Sequence, residues 1–414
     1  VQNTEKNAPA KRFVGRTRDD VRQFNLSIVL RMLHFSGSVS RSQLTSVSGL
    51  NRSTISDLVS ELSDLGLVTE SEGVAKNSGG RPSHVVSASD NVVAFTVNPD
   101  IDATTVGVVT LGGRVLVKRR ILTRLQPSAD QAIDIAGKAI AEMRAELPAE
   151  TLVAGIGVAI PGQVRLTDGV VRLAPHLNWV EVPLGAKLSQ LTGLPVFLDN
   201  DASLGCRAEF NFGAARGFND VVYMFAGSGG IGGGAIVNGR QLRGAAGYAG
   251  ELGHVRIADS KQNDYSGLAG TVESLVRRDD LLEAFMLDSA TDDELAADIH
   301  AVKMNHTTKT KVAQKLIERQ SEAMALGIAS FVNIFNPQVV VLAGFLAALF
   351  EFDQDRVLRI VKDHSLDASS ESVLIRSGEL GADLLMIGAA ELPFAQLLDR
   401  PSEFEFATQR KRTK

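Results

Sequence analysis

Asn200 and Asp201 follow an apolar run that ends in Leu198-Asp199. An amide and a carboxylate at the end of a strand can bind vicinal hydroxyls or take a proton from one, although the same pair in isolation makes an ordinary turn. Ala159-Ile160-Pro161-Gly162-Gln163-Val164 and Leu173-Ala174-Pro175-His176-Leu177-Asn178-Trp179 precede the pair. A glycine-rich stretch from Ala226 to Gly234 follows it, between two strand-like runs. Its glycines suit either backbone amides that cradle phosphate or a tight hairpin. A third stretch, Gly247-Tyr248-Ala249-Gly250-Glu251-Leu252-Gly253-His254-Val255, leads to Gly267, Gly270 and Glu273. Near the front of the chain a different chemistry is suggested by Asn51, Arg52, Ser53, Thr54 and Ser56. At a helix N-terminus such residues can meet phosphate through backbone amides and base edges through short side chains. The Arg52 fork matches the O6 and N7 acceptors of guanine. The alternative is that these residues only cap and solubilise a helix.

The elements that must position these groups fall into two parts, and 414 residues predict two or three cores. Three helical signals run between Val21 and Leu67. In the first, Phe24, Ile28, Met32 and Phe35 recur near helical spacing and Gly37 supplies a stop. The second starts at Ser40 with Gln43 three residues on, carries Arg41 and Ser42 in its first turn, buries Leu44 and Val47, and ends at Gly49. Asn51 caps the third, where Ile55, Leu58, Val59, Leu62 and Leu65 form one stripe before Gly66. Two helices joined by a Gly-containing turn have the form of a helix-turn-helix. The segment after Leu67 reads as a β-wing with Gly79-Gly80-Arg81-Pro82 at its tip, where Arg81 can follow the negative potential of a narrow groove, or as a mere hinge. From residue 91 strand-like runs (VVAFTV, VGVVTL, VAGIGVAI, VVYMFAG, GGAIVNG, VVVLAG) alternate with helices, which predicts an α/β fold. The expected division is a flexible tail over 1–18, a winged helix-turn-helix over 19–88, an effector and oligomerisation domain over 91–398, and a C-terminal tail over 399–414.

Charge is uneven. The net of −5 divides into +2 over residues 1–90 and −7 over the remainder, and nine basic residues face three acidic ones within residues 1–56. A basic front suits a polyanion, or simply a solvated face. The single cysteine, Cys206, excludes an internal disulfide and a four-thiolate metal site, as suits a reducing cytosol. The N-terminal stretch has no apolar core of a secretory signal. Val339–Phe350 falls short of the roughly 20 residues of a membrane span and reads as a buried strand and the loop after it.

Together, the three glycine-marked stretches, in this order and spacing, resemble the ROK family of repressors, open reading frames and sugar kinases. The resemblance runs from about residue 20 to 395, and its most specific stretch is Gly244 to His254. It implies an actin-like (ribonuclease H-like) two-lobed sugar-kinase fold behind the winged helix-turn-helix of the repressor branch. A sugar or sugar phosphate would lie between the lobes against Asn200, Asp201, Glu251, His254 and Glu273, with the Gly162 loop closing beside them. Double-stranded operator DNA is the second implied partner, the chain being a cytoplasmic homodimer or homotetramer. Two departures bear on activity. The Asp-x-Gly-Gly-Thr phosphate loop of the resembling kinases is replaced by Val97-Asn98-Pro99-Asp100-Ile101-Asp102, and Gly229 stands where they place a threonine. Carboxylates repel triphosphate, so no ATP cofactor and no enzymatic activity are expected, although Asp201 matches the kinases' catalytic base. The cysteines of the family's zinc-binding run are replaced by Asp264, Ser266 and Thr271, so no metal is expected. These points favour a repressor of sugar uptake and catabolism genes. The alternatives are an ATP-dependent sugar kinase with an appended DNA-binding head, and a protein in which a macromolecular partner sets DNA occupancy.

Overall fold

The computed structural model of the chain describes residues 17–72, 84–123, 125–227, 229–304 and 308–406. They form two compact units, one built on residues up to 88 together with Gln396–Glu405, the other on Ser89–Ala395.

Capping side chains set the helix ends of the first unit. Helix α1 (Arg18–Ser36) begins with a reciprocal Thr17–Asp20 box. After the two-residue strand β1 (Val39–Ser40), α2 (Arg41–Ser48) begins with the predicted Ser40–Gln43 box and stops at a left-handed Gly49. The amide of Thr54 donates to Asn51 Oδ1 at 2.9 Å at the start of α3 (Arg52–Asp64). Strands β2 (Val68–Glu72) and β3 (His84–Ala88) complete an antiparallel sheet of order β1-β3-β2. Helix α3 buries Ile55, Leu58, Val59 and Leu62 as its stripe predicts. Helix α1 does not follow its prediction. It buries Leu26, Val29, Leu30 and Leu33, while Phe24 is 49 % exposed. Both sets have helical spacing, and the aliphatic set on the opposite face is the one that packs in the core with α3. Val47 is likewise exposed, because two-turn α2 turns only Leu44 inward. The segment expected as a tail begins in order: Arg31 pairs with Asp399, Gln23 with Ser402, and Arg400 with Asp20 at 3.7 Å. Gly79, Gly80, Arg81 and Pro82, the expected wing tip, lie outside the described residues.

In the second unit, strict alternation of strand and helix does not hold. Strands β4 (Val92–Pro99), β5 (Ala103–Thr110) and β6 (Val115–Leu122) form an antiparallel meander before the first helix, α4 (Ala129–Glu146). Strand β7 (Leu152–Ile160) then runs parallel to β4. A small antiparallel sheet, β8 (Gln163–Arg165), β9 (Val170–Ala174) and β10 (Trp179–Val182), leads to α5 (Leu184–Thr192) and β11 (Val196–Asn200). The five-stranded order is β11-β7-β4-β5-β6, and α6 (Asp201–Phe212) leaves directly from the end of β11. A second five-stranded sheet follows from β12 (Val221–Gly227), β13 (Gly230–Val237) and β14 (Arg240–Gln241). Helices α7 (Val272–Leu275), α8 (Arg278–Phe285), α9 (Asp292–Met304) and α10 (Thr308–Phe335) come next. Strand β15 (Val339–Gly344) passes straight into α11 (Phe345–Phe352), a helix where a loop was expected. Then come α12 (Gln354–Asp363), α13 (Asp367–Ser370), β16 (Leu374–Ser377) and α14 (Leu384–Asp399), giving the order β14-β13-β12-β15-β16.

Each sheet has its own apolar core, around Phe95, Val106, Ile156 and Val158 in the first lobe and Met224, Phe331, Leu342 and Phe345 in the second. Among the described residues one helical stretch, Gly381–Asp399, is apolar and long enough to cross a membrane, and 61 % of it is buried in the protein, as for a core helix. Helix α14 passes so close to β7 that a Cβ on Gly157 would lie 1.8 Å from the Ala389 carbonyl oxygen. Only glycine fits this approach. Gly157→Ala is expected to lower the free energy of unfolding by about 1–3 kcal/mol or more, measured by urea titration of the purified chain.

Candidate functional site

The end of β11 delivers Asn200 and Asp201 to the wall of a cleft of about 120 Å³ in the second unit. Gly162, Asn200, Asp201, Glu251, His254 and Glu273 all line it, although they span 112 positions of sequence. Asn200 is the N-cap of α6: the Ser203 amide donates to its Oδ1 at 2.9 Å. Its Nδ2 donates to the Gly162 carbonyl and to Asp201 Oδ1, both at 3.1 Å. That one amide therefore ties the Gly162 turn to the helix. Glu273 is buried and accepts the Ile231 amide at 2.7 Å and the Tyr265 amide at 3.4 Å. Gly230 has φ +94°, and a Cβ there would lie 2.4 Å from Glu273 Oε2, so the carboxylate reaches the hairpin only because that position is glycine. Glu251 is the exposed member, at the mouth.

His176, Tyr265, Gln163 and Phe225 also line the cleft and were not singled out in the sequence. The first two sit inside stretches read for other residues, with no spacing that marks them. Their rings meet edge to face at 4.6 Å, and the Tyr265 hydroxyl donates to Asp279 at 2.7 Å. Arg243, also unforeseen, pairs at 2.6 Å with buried Asp199, next to Asn200.

Burial pushes the Asp201 carboxyl up to about 7; the Ala202 amide opposes this and the charges of Asp100 and Glu251 add to it. For Asp264, burial also pushes upward, but hydrogen bonds from His254, the Leu268 amide and the Thr271 hydroxyl hold it below the usual carboxylate range. The His254 imidazole is raised: burial disfavours its charge, yet the bond to Asp264 and the charges of Glu273, Asp264 and Glu251 outweigh it.

Ligand atoms of His254, Asp264 and Glu273 lie within 4.8 Å of one another, which raises the question of a metal. The donors do not fit the thiolate-rich zinc site implied by the resemblance. The positions of its cysteines are occupied by a carboxylate and two hydroxyls, and Cys206 is buried on α6. The oxygens of Asp264 are already engaged by four donors.

At the nucleotide side of the expected kinase site, the glycine-rich stretch forms the turn of the β12–β13 hairpin, with Gly227 opposite Gly230. These glycines therefore serve a tight hairpin. The β4–β5 turn carries Asp100 and Asp102; Asp102 pairs with Arg120 at 2.7 Å, and Asn98 donates to the Ala159 carbonyl at 3.1 Å. Burial pushes Asp292 up to about 6, opposed by Arg278 and reinforced by Asp100 and Asp293.

In the first unit, the first turn of α3 carries Arg52, whose exposed side chain makes no hydrogen bond or ion pair among the described residues. Ser53 donates to Asn51 Oδ1 at 2.7 Å, so Asn51 serves chiefly as a cap. Ser42 bonds Ser40 at 2.9 Å. Arg41 is held by Glu70 through two nitrogens and by Ser56 at 3.0 Å, which buttresses α2 against α3 and β2. Thr54 is half-buried beside the cap. Arg81 and Pro82 fall outside the described residues.

Two five-stranded sheets with a polar cleft define an actin-like sugar-kinase fold, here preceded by a three-helix unit with a small antiparallel sheet. The chain belongs to the ROK family, whose profile matches residues 100–395. A putative xylose repressor of Caldicellulosiruptor sp. (strain Rt8B.4) is 26 % identical over 92 % of this chain and 98 % of its own length. A glucokinase of Thermotoga maritima is 28 % identical, over 72 % of this chain and 96 % of its own. The fold matches the crystal structure of a ROK family transcriptional regulator described as a homolog of the E. coli MLC protein, with a TM-score of 0.73, 24 % identity and coverage of 92 % and 98 % of the two chains.

The raised Asp201 carboxyl has a consequence for stability. An unfolded aspartate ionises near pH 4, so the folded chain holds this proton more tightly and loses stability as pH rises from about 4 through about 7. Asp201→Asn removes that loss while an amide oxygen can still accept from Ala202. Its melting temperature is expected to exceed that of the parent by roughly 2–6 °C near pH 8 and to match it near pH 4, read by calorimetry at both pH values.

Proposed function

We propose that this chain is a DNA-binding transcriptional repressor of sugar uptake and catabolism genes, with operator affinity set by a sugar or sugar phosphate bound in the cleft. The observation that carries this reading is coverage. The xylose repressor aligns with both units of the chain, whereas the glucokinase reaches only 72 % of it. In the first unit, Arg52 on α3 would read base edges, with Asn51, Ser53 and Thr54 at the helix N-terminus and Ser42 on α2 against phosphate. Arg41 and Ser56 would hold the two helices in register, and Arg81 and Pro82 would extend the surface as a wing. In the second unit, Asn200, Asp201, Glu251, His254, Glu273 and the Gly162 turn would read hydroxyls through carboxylate, amide and imidazole groups.

The chain acts as a sensor rather than an enzyme in this reading. Asp100 and Asp292 bring negative charge to the region where a triphosphate would have to bind. Switching requires that the sugar favour one arrangement of paired DNA-binding units over another, since a ligand indifferent to the two shifts nothing. A homodimer or homotetramer reading a two-fold operator supplies that pairing, and the DNA partner places the protein in the cytoplasm.

Selection of bound duplexes from a random pool, repeated with D-xylose, D-glucose and their phosphates, tests the reading. A preferred duplex whose affinity changes with one of these sugars is expected; no preference with or without sugar would overturn it. ADP release from ATP and the same sugars, abolished by Asp201→Asn, would establish the kinase alternative. On the selected duplex, Arg52→Ala is expected to weaken binding about 10- to 100-fold and to relax one base position, with thermal melting unchanged.

A further inference from the structure

His254 enters the cleft at the end of a single 3-10 turn, Leu252–His254, too short by itself to fix the imidazole. Its Nδ1 lies 2.9 Å from Asp264 Oδ2, and that side chain is fully buried. The same oxygen accepts the Thr271 hydroxyl at 2.9 Å, and Oδ1 accepts the amides of Ser266 and Leu268, each at 2.9 Å. One carboxylate therefore gathers an imidazole, a hydroxyl and two backbone amides spread over positions 254 to 271. Two of the residues it organises, His254 and Ser266, face the cleft, as does Tyr265 between them. Thr271 in turn caps α7, whose first turn holds Glu273. An ionised carboxylate only accepts, so the imidazole proton of a neutral His254 must reside on Nδ1, leaving Nε2 as an acceptor.

We propose that Asp264 is a positioning residue that organises residues 254–273 without a metal ion and sets His254 to accept a hydrogen bond, through Nε2, from a carbohydrate hydroxyl. The assignment rests on the sugar-cleft reading for its ligand, but the carboxylate-centred scaffold is testable by itself. A metal in the same place would have to displace hydrogen bonds that already engage both oxygens. Hydroxyls at 266 and 271 would be poor replacements for thiolates.

The test uses the full chain labelled with 15N-histidine, the His254 signals being assigned by their loss in His254→Gln. The parent is expected to show the Nδ1–H tautomer at pH 9, where the imidazole is neutral although its neighbouring carboxylates raise it, and a melting temperature indifferent to EDTA, with no stoichiometric zinc by elemental analysis. Asp264→Asn, whose side chain can accept through only one atom, is expected to lose that single tautomer and at least about tenfold in affinity for whichever of D-xylose or D-glucose the parent binds. Asp264→Glu is expected to recover part of both. Stoichiometric zinc, a chelator-sensitive melt, or an unchanged tautomer in Asp264→Asn would overturn the proposal. If Asp264→Asn fails to fold, the parent's tautomer, metal content and chelator response still decide between carboxylate and metal. Binding of neither sugar by the parent, with the tautomer as expected, would instead strike the sugar-cleft reading and the ligand half of the proposal, leaving the scaffold standing.

Discussion

A carboxylate taken out of water must be given donors or surrender its charge, and four of them stand in or directly behind the cleft wall. Asp199 has Arg243 and the Asn200 amide. Glu273 has two backbone amides, and Asp264 has four donors of three kinds. Asp201 has the Ala202 amide and one Asn200 N–H while facing two other acids. The supply of donors orders the outcome, with Asp264 held ionised and Asp201 brought to neutrality's edge near pH 7. Much of the local backbone serves this supply, including the cap of α6, the Gly162 turn, the Gly230 approach and the loop before α7.

In the proposed reading, the same arrangement favours hydroxyl recognition over phosphoryl transfer. Hydroxyl groups are well met by acceptors and mixed donor–acceptor side chains, which the cleft retains. A nucleotide needs amides and cations around its phosphates. Here the β4–β5 turn places Asp100 where its charge reaches both Asp201 and Asp292.

Local signals were legible to the extent that they act locally. The Ser40–Gln43 box, the Asn51 cap and the stripe of α3 needed only neighbours within a turn. Long strands such as β4, β7, β12 and β15 announced themselves by apolar runs, and the family resemblance carried by the glycine-marked stretches pointed to six of the residues that line the cleft. Helix α1 misled because it has two apolar faces, and which one faces α3 is a tertiary matter. The three short strands between β7 and α5 have too few residues to show alternation. The run through Val339–Phe350 hid α11 because a buried strand and a buried helix are equally apolar. Arg243 meets Asp199 across 44 positions and Asp264 meets His254 across ten, so neither pairing had a periodic signature.

The first unit is closed by residues far downstream in the chain. Arg31 and Asp20 find Asp399 and Arg400 only after the intervening second unit has been made, whereas domains emerging from a ribosome ordinarily fold in order of synthesis. A nascent chain would therefore carry its first unit with part of its packing missing until those downstream residues had been made. A fragment ending at residue 88 would remain in that immature condition permanently, so a clipped amino-terminal piece is a poor mimic of the assembled head.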